Sequence, residues 1–237
     1  MDKIKLQISD HIAWITLNNP EKLNCLDMKM MEALEKHLLQ IKKSLSARVI
    51  VISGAGDKAF STGGNLKDFR ALTKFQDVKH WIKYGNEVFN LLETMPVATI
   101  AAIKGYAMGG GLELALSCDL RIATDKSVFS MPELQHGWVP GWGGLAKLRR
   151  LIGEARAKEM IMLGDRLDGH DALSLGLISK VCTEDDFDNY INEIATKLSK
   201  IDPFLMEMSK TSIMDHSRTS QSNDLLFDAL ATSYSKQ

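Results

Sequence analysis

Gly105-Tyr106-Ala107-Met108-Gly109-Gly110-Gly111-Leu112-Glu113-Leu114-Ala115 decides how this chain is read. Ahead of it, Val97 to Ile103 reads as a buried strand, and behind the glycines Leu112 to Ser117 reads as a short helix. The start of a helix leaves backbone N–H groups unpaired and carries a partial positive charge, and glycine lets a ligand approach that backbone closely. Ser61-Thr62-Gly63-Gly64 repeats the arrangement, lying beyond one buried strand and ahead of a second helical pattern. If the two stretches converge, they form a two-donor oxyanion hole. If they do not, they are two turns or points of close helix packing.

Working outward, Ile4 to Ile8 and His11 to Leu17 read as two strands around a Ser9-Asp10 turn, stopped by Asn18-Asn19-Pro20. Asp27 can cap a helix whose apolar positions are Met31, Leu34, Leu38, Ile41 and Leu45, and Val49 to Ile52 is the next strand. Gly54 to Gly64 reads as a loop. Val78, Trp81, Val88, Leu92 and Met95 mark a long helix stopped by Pro96. Leu120 to Ala123 and Ser127 to Ser130 read as short strands, followed by helices over Leu145 to Ile152 and Glu154 to Leu163. After Ile178 to Val181 the pattern is helical, with Phe187, Tyr190, Ile191, Ile194 and Leu198 on one face and Asp202-Pro203 opening a further helix. The fold class is therefore α/β, with a core over 1–184 and a helical region over 185–237.

Composition narrows the chemistry. The 237 residues can bury a sizeable core, roughly 70% of the unfolded surface. Lys+Arg 29 against Asp+Glu 30 leaves no strong global field, so nucleic acid and anionic membranes are not expected partners. No apolar run approaches the roughly 20 residues that span a bilayer, and the opening Met1-Asp2-Lys3-Ile4 lacks a signal sequence. The three cysteines, Cys25, Cys118 and Cys182, are odd in number and far apart, which argues against a disulfide framework and reads as small apolar residues in a reducing compartment. A cytoplasmic protein is expected. The six histidines show no metal-ligand spacing. Gly54-Ala55-Gly56-Asp57-Lys58-Ala59 fits a dinucleotide fingerprint in form, but no helix opens there and no acidic residue ends a second strand about 20 positions on. Phosphate-cradle and serine-elbow motifs are absent from the sequence.

Glu113 stands among Leu112, Leu114, Ala115 and Leu116, where the helical pattern leaves little room for solvent. Taken alone it reads as a first-turn acid favoured by the helix dipole, or as a catalytic group. Glu133, in Met131-Pro132-Glu133-Leu134, equally fits an exposed loop acid. Together with Cys118-Asp119, Pro132-Glu133 and Pro140-Gly141-Trp142-Gly143-Gly144, the opening stretch resembles the crotonase superfamily, and specifically an enoyl-CoA hydratase. Asn19-Pro20-Glu21-Lys22-Leu23-Asn24, Phe60 to Lys67 and Ala172 to Ile178 extend that resemblance over most of the chain.

The resemblance implies a spiral of ββα turns with a C-terminal helical region that drives assembly as a homotrimer or a dimer of trimers. It implies an acyl thioester of coenzyme A as substrate, with no separate cofactor and no metal. The oxyanion donors map onto the N–H groups of Gly64 and Gly110, and the two acids onto Glu113 and Glu133. Lys22 and Lys67 are placed near the phosphates and adenine of coenzyme A, although each also reads as a solvated surface charge. The implied reaction adds water to a 2-enoyl-CoA, with Glu113 activating water and Glu133 protonating the α-carbon. Isomerisation, decarboxylation or hydrolysis of a coenzyme A or carrier-protein thioester is the alternative, since a fold does not determine a function. A noncatalytic thioester-binding assembly protein is a second alternative. Many isomerases of the superfamily keep only the acid matching Glu133, which makes Glu113 the discriminating residue. Asn65, Trp142 and Leu145-Ala146-Lys147 depart from the superfamily's common pattern and point to a reshaped acyl pocket.

Overall fold

Short apolar runs broken by glycine turns send the chain back and forth between two sheets in the computed structural model, which describes residues 2–214. β1 (Ile4–Ser9) and β2 (Ile12–Leu17) form an antiparallel hairpin with Ile4 opposite Leu17, turned through Asp10 and His11 at positive φ. α1 (Met28–Ser44) is capped by Asp27, whose side chain accepts from the Met30 N–H, and it buries Met31, Leu34, Leu38 and Ile41. Leu45, expected on the same stripe, is instead the left-handed C-cap residue and stands exposed, because the helix has already ended beneath it.

Three strand–strand–helix turns follow. The first holds β3 (Val49–Gly54), β4 (Ala59–Ser61), the short α2 (Leu66–Arg70) and α3 (Phe75–Glu93). The second holds β5 (Ala98–Ile103), β6 (Tyr106–Met108) and α4 (Gly110–Leu116). The third holds β7 (Leu120–Thr124), β8 (Val128–Ser130) and α5 (Gly144–Leu163). The chain then runs through β9 (Leu167–Asp168), α6 (Gly169–Ser174), β10 (Lys180–Cys182), α7 (Glu184–Ser199) and α8 (Pro203–Met214). Each turn gives its first strand to a six-stranded sheet, order β1-β2-β3-β5-β7-β10, and its second to a four-stranded sheet, order β4-β6-β8-β9. β4, β6 and β8 are parallel, so their C-terminal ends lie side by side along one edge. This is an α/β spiral of ββα turns.

Two apolar clusters hold it together. One joins the two sheets to α1, α3 and α4 through side chains such as Ile15, Leu34, Phe89, Leu112 and Phe129, all at 0% exposure. Truncating one such residue to alanine costs about 2–5 kcal/mol. The other lies on the far face of the six-stranded sheet, where Phe187, Ile191 and Ala195 of α7 cover Val49, Val51, Ile100 and Ile122. In the region 185–237, α7 and α8 are helical as expected, and residues 215–237 lie outside the described residues.

Four elements depart from the pattern. β4 falls inside the stretch read as a loop, and β6 lies at the head of the glycine-rich segment; three residues are too few for alternation to register. α2, five residues long, has no buried side chain to betray it. The helices expected on either side of Gly153 run as α5, broken at Gly153 where φ is 77° and ψ 165°.

Candidate active site

Ligands of parallel sheets bind beyond the carboxyl ends of the strands, and here those ends carry the sequence-selected residues. Gly63-Gly64 follows β4, Gly109-Gly110 follows β6, and Glu133 follows β8. Gly63 has φ 88° and Gly109 φ 51°, so a left-handed glycine precedes each proposed donor and turns the next N–H out of the strand direction. The two turns meet: a Cβ on Gly63 would lie 2.7 Å from the Gly110 nitrogen, and one on Gly110 would lie 3.3 Å from the Gly64 nitrogen. Among the described residues no carbonyl accepts from the Gly64 N–H, and Gly110, as the first residue of α4, has no acceptor one turn back in its helix.

Asn24 holds the first of these turns in place. Its side-chain amide donates to the carbonyls of Ala55 at 3.0 Å and Ala59 at 2.8 Å, while its own carbonyl accepts from the Ser61 hydroxyl at 2.9 Å. The same hydroxyl oxygen accepts from the Gly63 N–H at 3.2 Å. Through Asn24, the Asn19 to Asn24 segment has a structural task beneath Gly64.

Glu113, in the first turn of α4, is 2% exposed, and its Oε1 accepts from the N–H groups of Trp142 and Gly144, both at 2.8 Å. Glu133 opens the 3-10 turn Glu133–His136 and is 7% exposed, yet neither of its carboxyl oxygens has a hydrogen-bond partner among the described residues. Burial, and after it the charge of Glu113, pushes the Glu133 carboxyl up to about 7. Burial also raises Glu113, but the two N–H donors and the nearby Lys147 ammonium oppose that rise. Of this coupled pair, the acid with donors and a cation beside it loses its proton first, so Glu113 is the carboxylate and Glu133 the neutral acid. Lys147 is itself buried; its Nζ pairs with Glu93 Oε2 at 3.1 Å and lies 3.3 Å from Asn90 Oδ1, which ties α5 to α3.

Gly64, Gly110, Glu113 and Glu133 line one cavity of about 590 Å³. Cys25, Phe69, Trp81, Met108, Trp138 and Trp142 make much of the remaining wall, and the exposed His136 stands at its margin. Cys25, expected from the sequence as a small apolar residue, is half-buried and faces this cavity, whereas Cys118 and Cys182 are buried. Lys22 and Lys67 are exposed and lie outside the cavity lining, on segments next to Cys25 and Leu66 that do line it. Sequence reasoning missed the Trp142 and Gly144 donors to Glu113 and the Lys147–Glu93 pair. The Gly143-Gly144 pair, with Gly143 at φ 93°, was the available signal for a tight backbone approach.

The arrangement can stabilise an oxyanion at the glycine pair and pass protons through two carboxyl groups beside it. The profile of the enoyl-CoA hydratase/isomerase family matches residues 7–235. The short-chain-enoyl-CoA hydratase of Clostridium acetobutylicum is 32% identical over 213 residues, covering 90% of this chain and 81% of that protein. The mitochondrial enoyl-CoA hydratase of Pongo abelii is 35% identical over 208 residues, covering 85% of this chain and 68% of that protein. The crystal structure of an enoyl-CoA hydratase from Bacillus anthracis superposes with a TM-score of 0.91 at 33% identity, covering 98% of this chain and 90% of that one. With the family's profile matching residues 7–235 and relatives at 32% and 35% identity covered to two thirds or more, the chain belongs to the enoyl-CoA hydratase/isomerase family.

Proposed function

We propose that the protein adds water across the double bond of a 2-enoyl-CoA thioester, or catalyses the reverse dehydration. The observation that carries this reading is the single cavity shared by two glycine N–H groups and two buried acids of unlike proton affinity. The Gly64 and Gly110 N–H groups polarise the thioester carbonyl and stabilise the negative charge that reaches its oxygen as the β-carbon is attacked. Losing one such donor raises a barrier by about 3 kcal/mol. Glu113 takes a proton from water as the water oxygen bonds to the β-carbon, and Glu133 gives its proton to the α-carbon. One O–H bond and one C=C π bond are lost, one C–O and one C–H bond form, and a proton returned from Glu113 to Glu133 resets the pair. A shift of the double bond needs only one acid–base group, so the presence of both acids favours hydration.

Coenzyme A is part of the substrate in this reading and no separate cofactor takes part. Lys22 and Lys67 meet its phosphates at the cavity's outer side. The helices beyond β10 serve trimer or hexamer assembly, and the protein works in the cytoplasm without nucleic-acid or membrane partners; no helix among the described residues is long and apolar enough to cross a membrane. Mixing the protein with crotonyl-CoA is expected to remove the absorbance of the conjugated thioester. Glu113→Gln and Glu133→Gln are each expected to lower kcat by about 10²–10⁴-fold with unchanged circular dichroism. Undiminished turnover in both variants would overturn the assigned roles.

A further inference from the structure

We infer that Trp142 ends the acyl pocket just past the reacting carbons, so that the enzyme takes short 2-enoyl groups such as crotonyl and rejects long straight chains. This deepens the hydration reading and rests on it. The indole is 2% exposed and lies between glycines on two sides. On one side, a Cβ on Gly110 would come within 2.5 Å of Cζ3, and one on Gly64 within 3.3 Å of Cη2. On the other side, a Cβ on Gly85 of α3 would come within 2.1 Å of Nε1. The ring therefore rests directly on the backbone of the proposed donors and reaches from there to α3.

The ring is also held against rotation. Trp81 packs on it at 4.5 Å between centroids with a 42° interplanar angle, and Phe89 meets it edge-on at 5.2 Å and 77°. Both neighbours project from α3, and the ring's own backbone N–H is engaged by Glu113. With the thioester oxygen at the two glycine N–H groups, carbons beyond the double bond meet the face or edge of this indole. A crotonyl group ends before that collision, whereas a longer tail must displace a ring packed on both sides. Close-packed interiors do not yield by such amounts without loss of other contacts.

The test measures kcat/KM for crotonyl-, hexenoyl- and octenoyl-CoA. The wild type is expected to fall at least about tenfold from crotonyl to octenoyl, and Trp142→Ala to raise the octenoyl-to-crotonyl ratio at least about tenfold. Trp142→Leu serves the same comparison if the alanine variant does not fold. Calorimetric binding of saturated butyryl-CoA and octanoyl-CoA to the wild type reads the pocket without chemistry, and octanoyl-CoA is expected to bind the more weakly. Equal handling of both lengths by the wild type, or an unchanged ratio in the folded variant, would overturn the inference. Length-dependent binding with no turnover of any enoyl-CoA would instead uphold the pocket and defeat the hydration reading.

Discussion

Glu133 holds its proton well above the ordinary carboxylate range because burial removes water and Glu113 adds a like charge nearby, with only its own backbone N–H favouring the anion. The unfolded chain ionises this carboxyl near its ordinary 4.5, the folded chain near about 7. Between those values the unfolded state binds fewer protons, so stability falls as pH rises through the interval, by about 3 kcal/mol in all. Glu133→Gln is expected to match the wild type in urea melts near pH 4 and to exceed it at pH 8; equal stability at both would contradict the burial argument. Lys147 acts the other way on Glu113. Lys147→Met should move the acid limb of the kcat/KM profile to higher pH, while Lys147→Arg should leave it in place; an unmoved limb would reduce the ammonium to a packing role. The two acids were legible only through the resemblance of the motifs around them, since alone Glu113 also reads as a first-turn acid and Glu133 as an exposed loop acid. The Lys147–Glu93 pair was not, since Glu93 reads as one more polar position near the end of a long helix, and only the crossing of α3 and α5 brings the two together.

At the scale of elements, the outcome turns on strands of three residues. The hairpin, α1, β3, α3 and β5 announce themselves by alternation or helical spacing, whereas β4 and β6 become strands only because each pairs with a neighbour already in place. What the sequence does display at those points is their endings, the glycines that no continuous strand or helix would tolerate together. Gly63→Ala tests whether those endings set the donor geometry. The new Cβ would sit 2.7 Å from the Gly110 nitrogen at a φ of 88°, so the turns must part or the backbone must change region. A fall in kcat of about 10²–10³-fold is expected, with KM for crotonyl-CoA less affected. A variant with wild-type kcat would show that the two N–H groups need not converge.

For the molecule as a whole, the α/β spiral was reached by resemblance more than by periodicity, because nothing in a run of apolar residues says which of two sheets it will join. Five strands of the six-stranded sheet, β1, β2, β3, β5 and β7, could be traced from their apolar runs; of the four-stranded sheet, at whose ends the candidate site lies, only β8 could. The coil order has a practical outcome. Gly64 rides on the first ββα turn, Gly110 and Glu113 on the second, and Glu133 on the third, so groups far apart along the chain stand at the ends of consecutive strands of one sheet. The proposed contributions to the reaction are thus spread over three windings, and the ladder of backbone pairing beneath them is indifferent to what the tips bear. New chemistry can be written here one winding at a time, by altering a tip while the others keep their aim.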